Sequence, residues 1–102
     1  MSKTKATHDT DRNSIQDFEQ IINVGPATSK DFQLLGYQTP QELIGEDPAR
    51  VYLRLCEVTQ VRQDPCVLDV LMSAIDYMGG NPPRQWWDYT AARKQKYAQL
   101  YQ

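Results

Sequence analysis

The sequence predicts an all-α fold, a small bundle of five or six short helices. Three observations support this prediction. Helix-start signals recur along the chain, apolar residues follow them at helical spacing, and no stretch alternates polar and apolar residues for the length of a strand. A chain of 102 residues that is 40% hydrophobic and 24% charged has the size and composition of one globular domain.

Proline and glycine mark where the helices start and stop. Threonine or aspartate before proline supplies an N-cap acceptor, and proline suits the first helical position because an N–H group there has no partner within the helix. Glycine adopts the left-handed conformation of a C-terminal cap. The starts are Gly25-Pro26, Thr39-Pro40, Asp47-Pro48 and Asp64-Pro65, and the stops are Gly36, Gly45 and Gly79-Gly80. Glu42 stands three residues after Thr39, which completes a capping box.

The spacing of apolar residues predicts helices between these signals. From Pro65 to Met78 apolar residues cover most of the circumference, which predicts a buried helix at the centre of the core. The remaining pieces are a first helix with Ile15, Phe18, Ile21 and Ile22, a second from about Pro26 to Leu35, one turn at Leu43 and Ile44, a helix starting at Pro48, and a last one starting near Asp88 with Tyr89, Ala92, Tyr97, Leu100 and Tyr101.

Charge and hydropathy divide the chain into three segments. Residues 1–13 are polar and predict a flexible arm, residues 14–83 form the domain, and residues 84–102 form a basic C-terminal segment packed on it. The total charge is −2, which excludes a general binder of polyanions. Residues 84–102 hold four basic residues and one acidic residue, so attraction to nucleic acid depends on the chain ends or on local geometry.

The segment from Ile21 to Thr28, with the sequence Ile-Ile-Asn-Val-Gly-Pro-Ala-Thr, resembles the hairpin of helix-hairpin-helix proteins. Such a hairpin presents backbone N–H groups at a helix N-terminus, where the donors and the helix dipole favour a phosphate oxygen. The resemblance therefore implies binding to the DNA backbone without sequence preference and without catalysis. Asn23 replaces the usual first glycine, and asparagine tolerates the left-handed backbone that this position needs.

The resemblance extends over about residues 15 to 90. The segments Asp31–Leu43, Asp47–Glu57, Asp64–Leu68 and Trp86-Trp87 are similar to a bacterial pathogenicity-locus helix-hairpin-helix family, also labelled mitomycin-resistance proteins. This likeness implies a SAM-like packing of the helices. The resemblance also implies the candidate nucleic-acid-binding residues, which are Asn23, Val24, Gly25, Ala27, Thr28, Ser29 and Lys30. The alternative is a hairpin that only joins two packed helices, because Pro26 lacks a donor and Asp31 offsets the charge of Lys30.

A second candidate surface combines aromatic and basic residues near the C-terminus. Its members are Trp86, Trp87, Arg93, Lys94 and Lys96. Such residues stack on single-stranded nucleic acid, bind a protein partner, or cover a helix face with the charges in solvent. The runner-up function is accordingly a protein-interaction adaptor of the same fold.

The sequence argues against an enzyme and predicts neither a cofactor nor a metal. Its single histidine, His8, lies in the expected arm, and no glycine-rich phosphate loop is present. Cys56 and Cys66 are too few for a zinc site, so core packing is expected, with a thiol pair as the alternative. The chain has no apolar stretch of membrane-spanning length and no secretory signal, and a cytoplasmic protein is expected.

Overall fold

The computed structural model describes residues 4–101, with side chains described through residue 99. Residues 1–3 of the expected arm, residue 102 and the side chains of Leu100 and Tyr101 lie outside the described residues. Four α-helices occur in the described range: α1 (Pro26–Leu34), α2 (Pro48–Thr59), α3 (Pro65–Met78) and α4 (Thr90–Lys96). Short 3-10 turns cover Arg12–Ser14, Phe18–Gln20, Pro40–Leu43, Trp86–Tyr89 and Ala98–Tyr101. Residues 4–101 contain no strand, so the all-α class is confirmed.

The segment expected to form the first helix contains a single 3-10 turn instead. Its buried residues repeat at every third position, as Ile15, Phe18, Ile21 and Val24, while Ile22 is half-buried. A period of three matches the three residues per turn of a 3-10 helix rather than the 3.6 of an α-helix. The α-helices are therefore fewer than the five or six short helices predicted.

Most of the predicted caps are present. Asp47 Oδ1 accepts the Ala49 N–H at 3.0 Å, and Asp64 Oδ1 accepts the Cys66 N–H at 2.8 Å. Gly36 and Gly45 adopt positive φ values of 97° and 80° where the sequence predicted helix stops. These local signals set the bounds of the helices because capping groups and proline act within one turn of the chain.

Helix α3 lies at the centre of the core, as its all-round apolar pattern predicted. It contacts α2, α4 and the 3-10 turns Pro40–Leu43 and Trp86–Tyr89. Its buried residues are Leu68, Asp69, Leu71, Ser73, Ala74, Ile75, Tyr77 and Met78. Two buried polar residues among them, Asp69 and Ser73, hold the C-terminal segment against the helix.

The described part of the expected arm, residues 4–13, contacts the domain. The guanidinium of Arg12 donates to the carbonyls of Tyr77 (2.8 Å) and Asn81 (2.8 Å) at the end of α3, and it lies 3.9 Å from the centre of the Tyr77 ring. The Tyr77 hydroxyl donates to the Thr7 carbonyl at 2.6 Å. A cation at the C-terminus of α3 is also favoured by the helix dipole. The mobility expected of the arm stays a prediction.

Candidate nucleic-acid interface

The hairpin before α1 has the backbone that its sequence requires. Asn23 is left-handed, with φ of 68°, and Val24 is fully buried. Gly25 then caps α1 in an extended conformation, and Pro26 takes the first helical position. The turn thus fixes the direction in which α1 leaves the hairpin, with its N-terminus at the surface.

The start of α1 offers backbone donors to a ligand. The Ser29 N–H donates to the Gly25 carbonyl at 2.9 Å and begins the helical ladder. Among the described residues, the N–H groups of Gly25, Ala27 and Thr28 have no hydrogen-bond acceptor. A Cβ at Gly25 would meet nothing within 4 Å, so the surface is open at this point. These three donors and the helix dipole form the arrangement that favours a phosphate oxygen.

The side chains along this stretch differ in exposure. Ala27 and Lys30 are exposed and Thr28 is half-buried, whereas Ser29 is only 6% exposed. Burial raises the pKa of the Asp31 carboxyl, and the neighbouring Lys30 opposes that rise. Lys30 and Thr28 are therefore the side chains that a strand at this surface would contact, while Ser29 lies toward the core.

Lys5 lies against the hairpin, and this contact was not predicted from the sequence. Its Nζ donates to the carbonyls of Glu19 (2.7 Å), Ile21 (3.1 Å) and Val24 (2.7 Å). Burial lowers the pKa of the Lys5 ammonium, and the charge of Glu19 opposes that effect. The contact brings a cation to the hairpin from residues distant in the sequence, and no local pattern signals it.

Asn23 connects the hairpin to the C-terminal segment. Its Nδ2 donates to the Ser73 hydroxyl and to the Arg84 carbonyl, both at 3.0 Å. The Ser73 hydroxyl also donates to the Arg84 carbonyl, at 2.8 Å. Three segments therefore meet at one point: the hairpin, the middle of α3 and the start of the basic segment 84–102. The Asn23 side chain is occupied at this junction. Any contribution of Asn23 to a ligand site is therefore through its backbone.

The tryptophan pair follows this junction directly. The rings of Trp86 and Trp87 meet edge to face, with centroids 5.5 Å apart and an interplanar angle of 81°. Trp86 is half-buried, whereas Trp87 is 57% exposed. The 3-10 turn that carries them packs on α3. The structure thus presents Trp87 at the surface and uses Trp86 to support it.

The basic residues of the second candidate surface separate in the structure. Lys94 and Lys96 are exposed, but Arg93 is 6% exposed and pairs with the buried Asp69. The Arg93 head group lies inside the protein because its Nε finds a carboxylate at 2.7 Å on α3. Arg93 was expected at the interaction surface and is instead buried. Arg84 is exposed, and its carbonyl accepts from Asn23.

The cysteines and other titratable groups form no further centre. Cys56 is half-buried against the core and Cys66 is exposed, which differs from the expected burial of both. Partial burial and the neighbouring Asp64 raise the pKa of the Cys66 thiol, the opposite of what a reactive thiol needs. Residues 4–101 hold no cluster of three metal-binding side chains. In the same range no helix has the length and apolarity to cross a membrane.

Two surface cavities lie away from the hairpin. One, of about 220 Å³, is lined by residues between 37 and 54, including Arg50 and Arg54. The other, of about 380 Å³, lies between α3 and α4 and is mainly apolar. Neither cavity is lined by residues 23–30.

Comparison with known proteins shows the family to which the chain belongs. The family model described as Cdd1, pathogenicity locus, matches residues 11–95, and the chain belongs to that family. A relative in Streptomyces lavendulae, the mitomycin resistance protein McrB, is 38% identical over 78 residues, which cover 76% of this chain and 74% of that protein. No solved structure matches the chain.

Proposed function

We propose that this protein is a non-enzymatic helix-hairpin-helix module with SAM-like packing that binds the DNA backbone weakly and without sequence preference. In this proposal the short turn Phe18–Gln20 takes the place of the first helix, and α1 is the second helix of the motif. The backbone donors of Gly25, Ala27 and Thr28 hold a phosphate, and Lys30 contributes charge. The protein acts in the cytoplasm and uses no cofactor.

The observation that carries the proposal is the hydrogen bond from Asn23 Nδ2 to the Arg84 carbonyl at 3.0 Å. It brings the hairpin to the start of the segment that holds the exposed cations Arg84, Lys94 and Lys96. Lys5 adds positive charge to the hairpin, while its three donors bind the carbonyls of Glu19, Ile21 and Val24. Clustered cations beside free backbone donors are the arrangement that attracts a phosphate chain.

Charge also explains why the binding is proposed to be weak. Residues 14–59 carry three basic and seven acidic residues, so the body of the domain repels a polyanion. Because few cations belong to the hairpin, we propose contact with about two or three phosphates. Such a contact loses about 10- to 40-fold in affinity between 50 mM and 200 mM salt, because each phosphate contact releases counterions.

The test is fluorescence anisotropy with labelled DNA at about 50 mM and 200 mM salt. Lys30→Glu removes the exposed cation, and Gly25→Val adds bulk where the structure has open space, so both variants are expected to fold and to lose binding. Arg50→Glu is the matched control, since it makes the same charge change on α2. Absence of salt-sensitive binding at low salt, or equal losses in Lys30→Glu and Arg50→Glu, contradicts the proposal.

The alternative function is a protein-interaction adaptor. Its supporting observation is the set of exposed large apolar side chains, which comprises Leu34, Ile44, Leu53, Val58, Val61 and Trp87. Among these, tryptophan is the residue type enriched at the energetic centres of protein interfaces, so Trp87 is the main candidate for such a contact. Sedimentation measurements across a concentration series test self-association, and a stable monomer that binds DNA argues against the adaptor.

The name of the relative adds a physiological proposal. The chain is proposed to contribute to mitomycin resistance, as the name of McrB states for that protein. Expression in a mitomycin-sensitive bacterium is expected to raise survival, and the Lys30→Glu variant is expected to lose the effect if resistance depends on the hairpin. Survival unchanged by the native chain contradicts this extension.

A further inference from the structure

We infer that the partner of this surface is DNA with an unpaired base, which stacks on the ring of Trp87 while the hairpin holds a neighbouring phosphate. The inference rests on the proposed backbone binding and adds the substrate class: single strands, overhangs and other sites where the face of a base is free. In a paired duplex the neighbouring base pairs cover those faces, so Trp87 has nothing to stack on.

The first support is the exposure of Trp87. A tryptophan ring has a large apolar surface, and 57% of this residue is open to solvent. The Trp86 ring packs edge to face against the Trp87 ring, and the 3-10 turn that carries both residues packs on α3. The ring is therefore held in place before a ligand arrives, which reduces the entropy lost on stacking.

The second support is distance along the chain. The Arg84 carbonyl lies 3.0 Å from Asn23 Nδ2, and Trp87 follows Arg84 by three residues. Three residues span at most about 10 Å, so the Trp87 backbone lies within roughly 15 Å of the Asn23 side chain. At about 3.4 Å per nucleotide of a stacked strand, that separation corresponds to about four nucleotides or fewer. The start of the hairpin and the turn that carries the ring therefore lie within the reach of one short strand.

The third support is the charge of the segment that carries the ring. Arg84, Lys94 and Lys96 are exposed in the same segment, whose only acidic residue is Asp88. Aromatic rings beside cations are the combination with which proteins bind single strands, because every base has a face to stack and every nucleotide carries a phosphate. The segment that carries Trp87 therefore suits a single strand, which offers both bases and phosphates, better than an apolar protein segment.

The test compares four labelled probes of equal length by anisotropy at low salt: an oligothymidine strand, an abasic strand, a blunt duplex and a duplex with a single-stranded overhang. Trp87→Ala is expected to weaken binding of the oligothymidine and overhang probes by about 5- to 150-fold. It is expected to leave the abasic strand unchanged, because that strand has no base, and to have the smallest effect on the blunt duplex among the probes with bases, because only its terminal base pairs expose a face. Trp87→Phe keeps a ring and is expected to restore most of the affinity.

The matched control is Leu53→Ala, which removes another exposed apolar side chain and is expected to change no probe. Lys30→Glu is expected to weaken all four probes, which separates phosphate contact from stacking. Binding of all probes that Trp87→Ala does not alter, or alters equally, overturns the unpaired-base inference and leaves the backbone proposal standing. Absence of binding to every probe overturns both, and self-association lost in Trp87→Ala then assigns the ring to a protein partner.

Discussion

Arg93 and Asp69 form an ion pair inside the protein. The Arg93 Nε lies 2.7 Å from Asp69 Oδ1, and the Asp69 residue is fully buried. The other carboxylate oxygen accepts the Thr90 hydroxyl at 2.8 Å. Both partners of Asp69 belong to α4, so this carboxylate anchors the last α-helix to the central one. The anchoring also holds the basic segment beside the hairpin.

Removing the carboxylate is expected to destabilise the protein strongly. Asp69→Ala leaves the guanidinium of Arg93 without its buried counter-ion, which costs about 3 to 5 kcal/mol. The double variant Asp69→Leu with Arg93→Met is expected to be closer to the native protein, since it removes both charges together. Urea unfolding followed by circular dichroism measures each value. A loss below about 1 kcal/mol in Asp69→Ala contradicts the anchoring role.

Two substitutions at Asn23 separate its backbone from its side chain. Asn23→Gly keeps the left-handed conformation but loses the bonds to Ser73 and Arg84, whereas Asn23→Ala loses the bonds and adds backbone strain. The alanine variant is therefore expected to be less stable than the glycine variant by about 1 to 2 kcal/mol. Thermal or urea unfolding of the two variants measures the difference. Equal stabilities mean that the left-handed backbone imposes no cost.

Alkaline pH is expected to weaken the fold through Tyr37. Burial, followed by the hydrogen bond to Glu46 Oε1 at 2.7 Å and its charge, raises the pKa of Tyr37 from 10.0 to about 12. The folded state keeps this proton longer than the unfolded state, so the stabilisation is complete below pH 10.0 and is lost as the pH rises to about 12. The same two causes, burial and a bond to Asp76, raise the pKa of Tyr89.

The measurement is the free energy of unfolding in urea at a series of pH values from 9 upward. Tyr37→Phe has no proton to lose and is expected to show a shallower decline than the native protein. Adding Tyr89→Phe is expected to flatten the decline further. A Tyr37→Phe variant that declines as steeply as the native chain shows that Tyr37 does not contribute to the effect.

Lys5 is expected to hold residues 4–7 against the hairpin. Lys5→Met removes three donor contacts to the carbonyls of Glu19, Ile21 and Val24, at an expected cost of about 1 to 2 kcal/mol. The neighbouring Ala6 N–H donates to the Gln20 carbonyl at 2.8 Å, and its hydrogen exchange is expected to speed up in the variant. Lys94→Met, at an exposed position of α4, is the control and is expected to leave that exchange rate unchanged.

The candidate site was only partly predictable from the sequence. The hairpin was visible because Asn23, Gly25 and Pro26 each have a backbone preference that acts at their own position. The contacts of Lys5 and Arg84 with the hairpin were not predictable, since they join residues that are 16 and 61 positions apart in the sequence. The same limit applies to Arg93. Its charge predicted a position at the surface, but a carboxylate 24 residues away in the sequence pairs with it inside the protein.

By itself the sequence determined the helical class, the starts of α1, α2 and α3, and the central position of α3. Proline geometry, capping side chains and an apolar helix circumference are local properties, and they act whatever the rest of the chain does. Tertiary structure decided that residues 15–24 contain one 3-10 turn, Phe18–Gln20, and no α-helix, and that Trp87 faces solvent. It also decided that Arg93, among the C-terminal cations, pairs with the buried Asp69. These outcomes depend on which distant groups meet, because burial and ion pairing are properties of the packed molecule.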